Sequence, residues 1–283
     1  MRVYLEQQAA RALTPTGGFL RGFAYSLNPY TGCAFGDAGG CPFCYVRALP
    51  VAHLRQSQGR AWGAWVIAKS NLPELLEREL VALELSGKLA DATIFMSSAT
   101  DPYQGYERRM LITRCALEAF VRHPPRRLVI QTRSPLIERD IDMIARLGDR
   151  AIASITVETD DDTVRRSITP TSPSVGRRLT TMRRLRAAGI FTQMAISPML
   201  PNHPPRFADL AAEAVDRVIV DTYFDGDGAN GRRSRALGIG ELYERLGYAD
   251  WFKPGAERDL LTAMRARLGD DRVLFSRAGF TAV

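Results

Sequence analysis

Short apolar runs interleaved with segments of helical periodicity constrain the fold of this chain more than any other feature. The runs are Ala92–Ser98 (ATIFMSS), Arg127–Thr132 (RLVIQT), Ala151–Val157 (AIASITV), Phe191–Ile196 and Arg217–Tyr223 (RVIVDTY). Helical periodicity falls over Met110–Arg122, Ile137–Leu147, Val175–Ala188 and Phe207–Ala214. Alternation at this pace predicts an α/β fold of parallel strands joined by crossover helices. The strands are apolar and β-branched on both faces, as a sheet buried on both sides requires. With Phe23–Leu27 as a further strand the count is at least six, which suits a complete or partial (β/α) barrel. No GxGxxG turn follows any strand, which argues against a dinucleotide-binding doubly wound sheet.

The expected organisation is an N-terminal arm over 1–23, a barrel domain over 24–225 and a C-terminal loop and helical extension over 226–283. The arm carries one short amphipathic turn and ends at the Thr14–Gly18 breaker. The extension begins in a Gly-, Asp- and Arg-rich loop, Asp225–Leu237, and continues with a helix at Glu257–Leu268 and a strand at Arg272–Ser276. No apolar run reaches membrane-spanning length and the N-terminus lacks an apolar signal core, so a cytoplasmic location is expected. The net charge of +7 permits an anionic partner such as nucleic acid without establishing one.

Three of the four cysteines lie in one glycine-rich loop, Cys33-(x7)-Cys41-Pro-Phe-Cys44. Clustered thiols in a chain of 283 residues read as reduced metal ligands rather than a disulfide framework. A closed structural zinc site or a fully ligated iron–sulfur cluster takes one more protein ligand than three thiols provide. Either an open coordination position serves chemistry, or a zinc site recruits His53 as its fourth ligand and stabilises a nucleic-acid-binding module. The fourth cysteine, Cys115, falls in a helical segment and reads as structural.

The loop follows a strand, and barrel enzymes build their sites at strand C-terminal ends. Other strands end in small polar or charged groups: Ser97 to Tyr103, Gln131 to Ser134, Ser154 to Thr156, and Ser197-Pro198. Such groups surround a shared mouth and can hydrogen-bond a polar cofactor. Asp101 and Tyr103 sit there as candidate catalytic residues. Asp221 and Tyr223 end the last strand, Arg232, Arg233 and Arg235 form the densest basic run, and Trp62 and Trp65 read as core or lid.

The run Asn28-Pro-Tyr-Thr-Gly-Cys33 leading to Cys41-Pro-Phe-Cys44-Tyr45 resembles the cluster loop of radical S-adenosylmethionine (SAM) enzymes. More narrowly, it resembles the spore photoproduct lyase-like branch. Lys69 to Leu76, Thr100-Asp-Pro-Tyr-Gln104, Arg139-Asp140-Ile141, and Pro170 to Ser174 with Arg177 and Arg178 extend the likeness over about residues 24–225. The resemblance implies a partial (β/α)6 TIM-like barrel with short terminal extensions. It further implies a [4Fe–4S] cluster on Cys33, Cys41 and Cys44, with SAM on the fourth iron. The activity implied is reductive cleavage of SAM to a 5′-deoxyadenosyl radical that takes hydrogen from substrate, in a lyase-like reaction. An electron donor such as flavodoxin or ferredoxin, and a nucleic acid or nucleotide substrate, are the implied partners.

By the same resemblance Phe43 packs near the adenine, Arg133 reaches the SAM carboxylate, Ser98 and Ser154 make polar contacts to SAM, and Met194 and Ile196 flank the adenine. The chain departs from the family pattern in three places. The first cysteine gap has seven residues rather than three, and its composition, Ala34 to Gly40, lets the loop bulge. Thr169 stands where the family has glutamate. Ser98 stands where spore photoproduct lyase has its hydrogen-donating cysteine, and a serine O–H is too strong a bond for that task.

Overall fold

The computed structural model describes residues 2–35 and 41–281. Its strands, in chain order, are β1 (Val3–Gln7), β2 (Leu13–Pro15), β3 (Tyr25–Leu27), β4 (Tyr30–Gly32), β5 (Trp65–Lys69) and β6 (Thr93–Met96). They continue with β7 (Arg127–Thr132), β8 (Ala151–Thr156), β9 (Phe191–Ile196), β10 (Arg217–Val220) and β11 (Val273–Phe275). The larger sheet has eight strands in the order β11-β10-β9-β8-β7-β6-β3-β2. Every pairing from β3 to β11 is parallel, and β2 adds an antiparallel edge. Because β11 and β2 are separate edges, the barrel is partial. The six expected strands are present, and β11 from the C-terminal extension joins them as a seventh parallel strand.

Helices α1 (Leu72–Leu85), α2 (Glu107–Met110), α3 (Ile112–Arg122), α4 (Ile141–Arg146), α5 (Asp162–Ile168), α6 (Val175–Ala187) and α7 (Pro204–Ala214) fall between the strands. After β10 come α8 (Arg232–Ala236), α9 (Ile239–Leu246) and α10 (Arg258–Leu268), and α11 (Ser276–Phe280) follows β11. In α1, Leu72, Leu76 and Leu80 recur every fourth residue and are buried, the spacing that turns one helical stripe onto the sheet. Among the described residues no helix is long and apolar enough to cross a membrane.

Successive residues of each strand serve different layers. Ile94, Met96, Leu128, Ile130, Ala153, Ile155, Met194 and Ile196 join the core packed against the helices. Phe95, Val129, Ile152, Ala195 and Ile219 point into the barrel, where Phe23 and Phe280 close a separate cluster. The barrel interior is therefore filled at one end by side chains from both terminal segments.

Three expectations change. Residues 1–23 are not an arm with an amphipathic turn: β1 pairs in parallel with β5, and β2 pairs with β3. The helix expected over 137–147 begins as a 3₁₀ segment, Pro135–Asp140, and becomes α4 only from Ile141. Proline at the first position and the Ser134 side chain, which accepts from the Leu136 N–H at 3.2 Å, start that tight turn. The extension after residue 225 is integrated by β11 in the main sheet and by α10 packing on α7.

The small sheet, ordered β1-β5-β4, carries the cysteine loop. Gly32, the last residue of β4, has φ +85°, and a Cβ there would meet the Trp65 carbonyl oxygen at 2.4 Å. Only glycine lets β4 pass that close to β5 and deliver the next residue, Cys33.

Candidate active site

A cavity of about 940 Å³ opens at the C-terminal ends of the parallel strands, where Ser26, Ser97, Gln131, Thr156, Ala195, Ser197 and Asp221 contribute to its wall. Cys33, Cys41 and Cys44 all line it, with Phe35, Phe43, Ser98, Asp101 and Arg133. Cys44 donates its N–H to the Cys41 carbonyl at 3.0 Å, which folds the Cys-Pro-Phe-Cys segment into a turn. Cys33 and Cys44 pack against Val46, Trp62 and Trp65. The two tryptophans meet edge to face at 5.6 Å. The bulge expected over residues 34–40 lies, from residue 36 on, outside the described residues.

The loop after β6 braces the cysteine loop. Gln104 accepts the Ala34 N–H at 2.8 Å, Thr100 donates to the Gly32 carbonyl, and the Tyr45 hydroxyl donates to the Ser98 carbonyl. Asn28 donates to Ser98 Oγ at 3.2 Å and accepts the Ala99 N–H at 2.9 Å. Ser97, one residue earlier, has φ +76°, and its buried Oγ has no hydrogen-bond partner. A non-glycine residue at that φ is strained, and such strain gathers at functional sites.

Arg133 is the charged centre of the wall. Its Nη1 contacts Cys41 Sγ and its Nη2 lies 3.2 Å from Glu158 Oε1. Glu158 is fully buried and also takes Arg178 Nη1 at 2.6 Å. Burial works to raise the Glu158 carboxyl, but the two guanidiniums outweigh it and hold it below the ordinary carboxylate range. Burial pushes the Cys41 thiol up to about 11 and raises Cys33 and Cys44 as well. Such thiols keep their protons until a metal's charge displaces them.

Asp101 is buried and engaged: Tyr103 N–H donates to it at 2.8 Å, Thr132 Oγ1 at 2.6 Å and Arg133 N–H at 3.0 Å. It fixes the chain around Arg133. Tyr103 is not at the mouth, because it is buried under the Arg139 guanidinium, whose Cζ is 6.0 Å from its ring. Met194 and Ile196 belong to the helix-side core, and the cavity residue of β9 is Ala195 between them. Strand parity thus corrects their expected contact with the adenine. Ser154 faces the barrel one layer below the cavity wall, accepting from Gln193 Nε2 at 2.9 Å.

His53 does not join the thiols. Its ring is exposed, with Nε2 3.1 Å from the Arg47 carbonyl. Among the described residues, no group of three or more His, Cys, Asp or Glu is arranged to hold a single metal ion. This removes the zinc ligand set of Cys33, Cys41, Cys44 and His53. Thiols spread along one cavity wall suit a polynuclear cluster instead. Sequence reasoning underweighted Gln131, Ser197 and Asp221. Gln131 donates to Thr156 Oγ1 at 2.7 Å while its Oε1 has no partner, and Asp221 Oδ1 is likewise buried without one. Their signal was parity, since Val129 and Ile219 of the same strands point into the barrel.

A partial parallel barrel with three buried thiols, a buried arginine and orphaned polar atoms around one strand-end cavity defines a cofactor-dependent barrel enzyme. The chain belongs to the Radical SAM superfamily, which it matches over residues 27–214. An uncharacterized protein of Methanocaldococcus jannaschii is 29% identical over 195 residues, 69% of this chain and 67% of that protein. An uncharacterized protein of Acidianus two-tailed virus is 28% identical over 188 residues, 64% of this chain and 58% of that protein. One from Mycobacterium bovis is 26% identical over 181 residues, 63% of this chain and 50% of that protein. The chain thus spans between half and two thirds of these relatives.

Among solved structures, spore photoproduct lyase complexed with dinucleoside spore photoproduct superposes with a TM-score of 0.66 at 12% identity, over 96% of this chain and 81% of that one. A spore photoproduct lyase mutant with bound AdoMet and dinucleoside spore photoproduct gives 0.65 at 13% identity, with the same coverage. The fold is that of spore photoproduct lyase.

Proposed function

We propose that this protein is a radical SAM enzyme whose cluster is held by Cys33, Cys41 and Cys44 and whose SAM is gripped by Arg133. The observation that carries the reading is the convergence of all three thiols and Arg133 on one wall of the strand-end cavity. When bound, a [4Fe–4S] cluster with SAM supplies, on one-electron reduction, a 5′-deoxyadenosyl radical able to take hydrogen from a substrate.

The chain's own residues then have definite tasks. Arg133 is anchored through Nη2 to Glu158, so its other nitrogens can hold the SAM carboxylate in a fixed orientation. Phe43, edge-on to Tyr223 at 6.1 Å, offers the adenine an aromatic wall. Ser97 Oγ and Gln131 Oε1 are unpartnered in the cavity wall and are suited to the remaining polar atoms of SAM. Phe19, Leu20 and Phe35 supply apolar wall that excludes water.

The substrate class we favour is a nucleic acid or nucleotide, supported by Arg21, Arg233 and Arg277 on the cavity wall, all exposed to solvent. Ser98 offers no thiol, so hydrogen return by a cysteine at that position is not part of this reading. The test is anaerobic incubation of reconstituted protein with dithionite and SAM, alone and with damaged and undamaged DNA. The proposal expects 5′-deoxyadenosine, with substrate label entering it. An intact, reducible cluster that yields none under any of these conditions would contradict it.

A further inference from the structure

The segment between Cys44 and β5 has two unlike sides. One faces the cavity through Tyr45, Val46, Leu49 and Trp62. The other carries Arg47, Arg55 and Arg60, none of which lines the cavity. From residue 38 to residue 73 the sequence contains no Asp or Glu. Arg47 donates to the Pro42 carbonyl at 3.0 Å, so its charge sits over the turn between Cys41 and Cys44. Arg60 binds Gln58 and the Ser57 carbonyl, and Arg55 is exposed. Among the described residues, no carboxylate pairs with any of the three. Elsewhere the pattern differs: Arg114, Arg139, Arg165, Arg177, Arg183 and Arg206 each hold an acidic partner.

We infer that the Arg47–Arg55–Arg60 face is the docking surface for an acidic one-electron carrier protein that reduces the cluster. The inference rests on the radical SAM reading above. Electron transfer weakens steeply with distance, so a donor must sit against the cluster loop, and this face backs directly onto Cys44. Its position away from the cavity leaves the mouth free for substrate, which separates it from the arginines assigned to nucleic acid. Uncompensated charge suits an encounter complex, in which steering rather than buried area sets the rate. In each transfer the donor's flavin hydroquinone is oxidised to the semiquinone and the oxidised cluster gains that one electron.

The experiment follows bleaching of the reconstituted holoenzyme near 400 nm in stopped flow, with reduced flavodoxin as donor. Wild type should show a second-order rate that falls steeply with added salt. Arg55→Glu/Arg60→Glu should slow it by about tenfold or more, and Arg55→Gln/Arg60→Gln should slow it less. Reduction by methyl viologen radical cation should be unslowed in both, as should flavodoxin reduction of Lys88→Glu, a change beyond the C-terminal end of α1. Flavodoxin rates indifferent to both salt and these substitutions would overturn the inference while leaving SAM cleavage intact. So would loss of DNA affinity with unchanged flavodoxin rates, which would assign the face to nucleic acid. A chain that binds no cluster at all would overturn both readings.

Discussion

Arg133 and Glu158 join the cofactor wall to the barrel interior: Nη2 and Oε1 are 3.2 Å apart, and Glu158 is fully buried. Arg178, also fully buried, holds the other carboxylate oxygen at 2.6 Å and the Thr156 carbonyl at 2.7 Å. One carboxylate therefore neutralises two guanidiniums, and the orientation of Arg133 depends on a residue that never reaches the cavity. Breaking a buried ion pair from one side leaves an uncompensated charge, at a cost of about 3–5 kcal/mol. Glu158→Gln should lose stability of that order in urea unfolding.

The same carboxylate predicts a pH dependence. Its folded pKa is depressed, so its contribution is present above the ordinary carboxylate range and is lost as pH falls through the lower folded value. Wild type should lose stability on acidification below about pH 4.5, the ordinary glutamate value, and Glu158→Gln should lose less. Urea midpoints at pH 7 and pH 4 measure both.

Arg133→Lys keeps a charge but not the planar fork, and Arg133→Ala removes both. Charged hydrogen bonds contribute about 1.5–3 kcal/mol. SAM affinity of the reconstituted protein should therefore fall by about tenfold to a hundredfold in Arg133→Ala, with Arg133→Lys between, measured by equilibrium dialysis.

Asp221 shows the opposite shift. Burial raises its pKa to about 7, with Ser276 and Ser197 hydroxyls pulling it back only in part. A raised carboxyl keeps its proton longer in the folded state, so stability falls as pH climbs from the ordinary 3.8 to about 7 and is then level. Asp221→Asn removes that loss and should gain at least about 1 kcal/mol over wild type at pH 8. At pH 4 the two should melt alike.

Phe280 reaches the barrel interior from α11 and meets Phe19 at 5.6 Å between ring centres. Removing it opens a cavity under the floor of the site. Phe280→Ala should cost about 3–5 kcal/mol, seen as a lower urea midpoint.

The sequence made the parallel barrel legible because its strands are fully buried runs, and β7 and β9 fall at their expected limits. It made the thiol loop legible because no other use of three clustered cysteines suits the chain. It did not reveal β1, β2 or β4, which are short or half-exposed and take their shape from partners distant in sequence. Met194 and Ile196 were misplaced because an apolar strand gives no polar–apolar alternation from which to read its faces. Tyr103 was misplaced for another reason. The loop after β6 turns inward, and an ion network of Glu107, Arg139 and Asp140 draws the tyrosine beneath it.

The central claim is that three thiols hold an iron–sulfur cluster with room for SAM. Its most direct test is iron and sulfide analysis of anaerobically purified protein, with paramagnetic resonance of the reduced form before and after SAM. The account predicts brown protein with about four irons per chain, loss of that iron in Cys33→Ala, Cys41→Ala and Cys44→Ala, and a changed resonance spectrum on adding SAM. Colourless protein carrying one zinc, or a cluster whose spectrum ignores SAM, would contradict it.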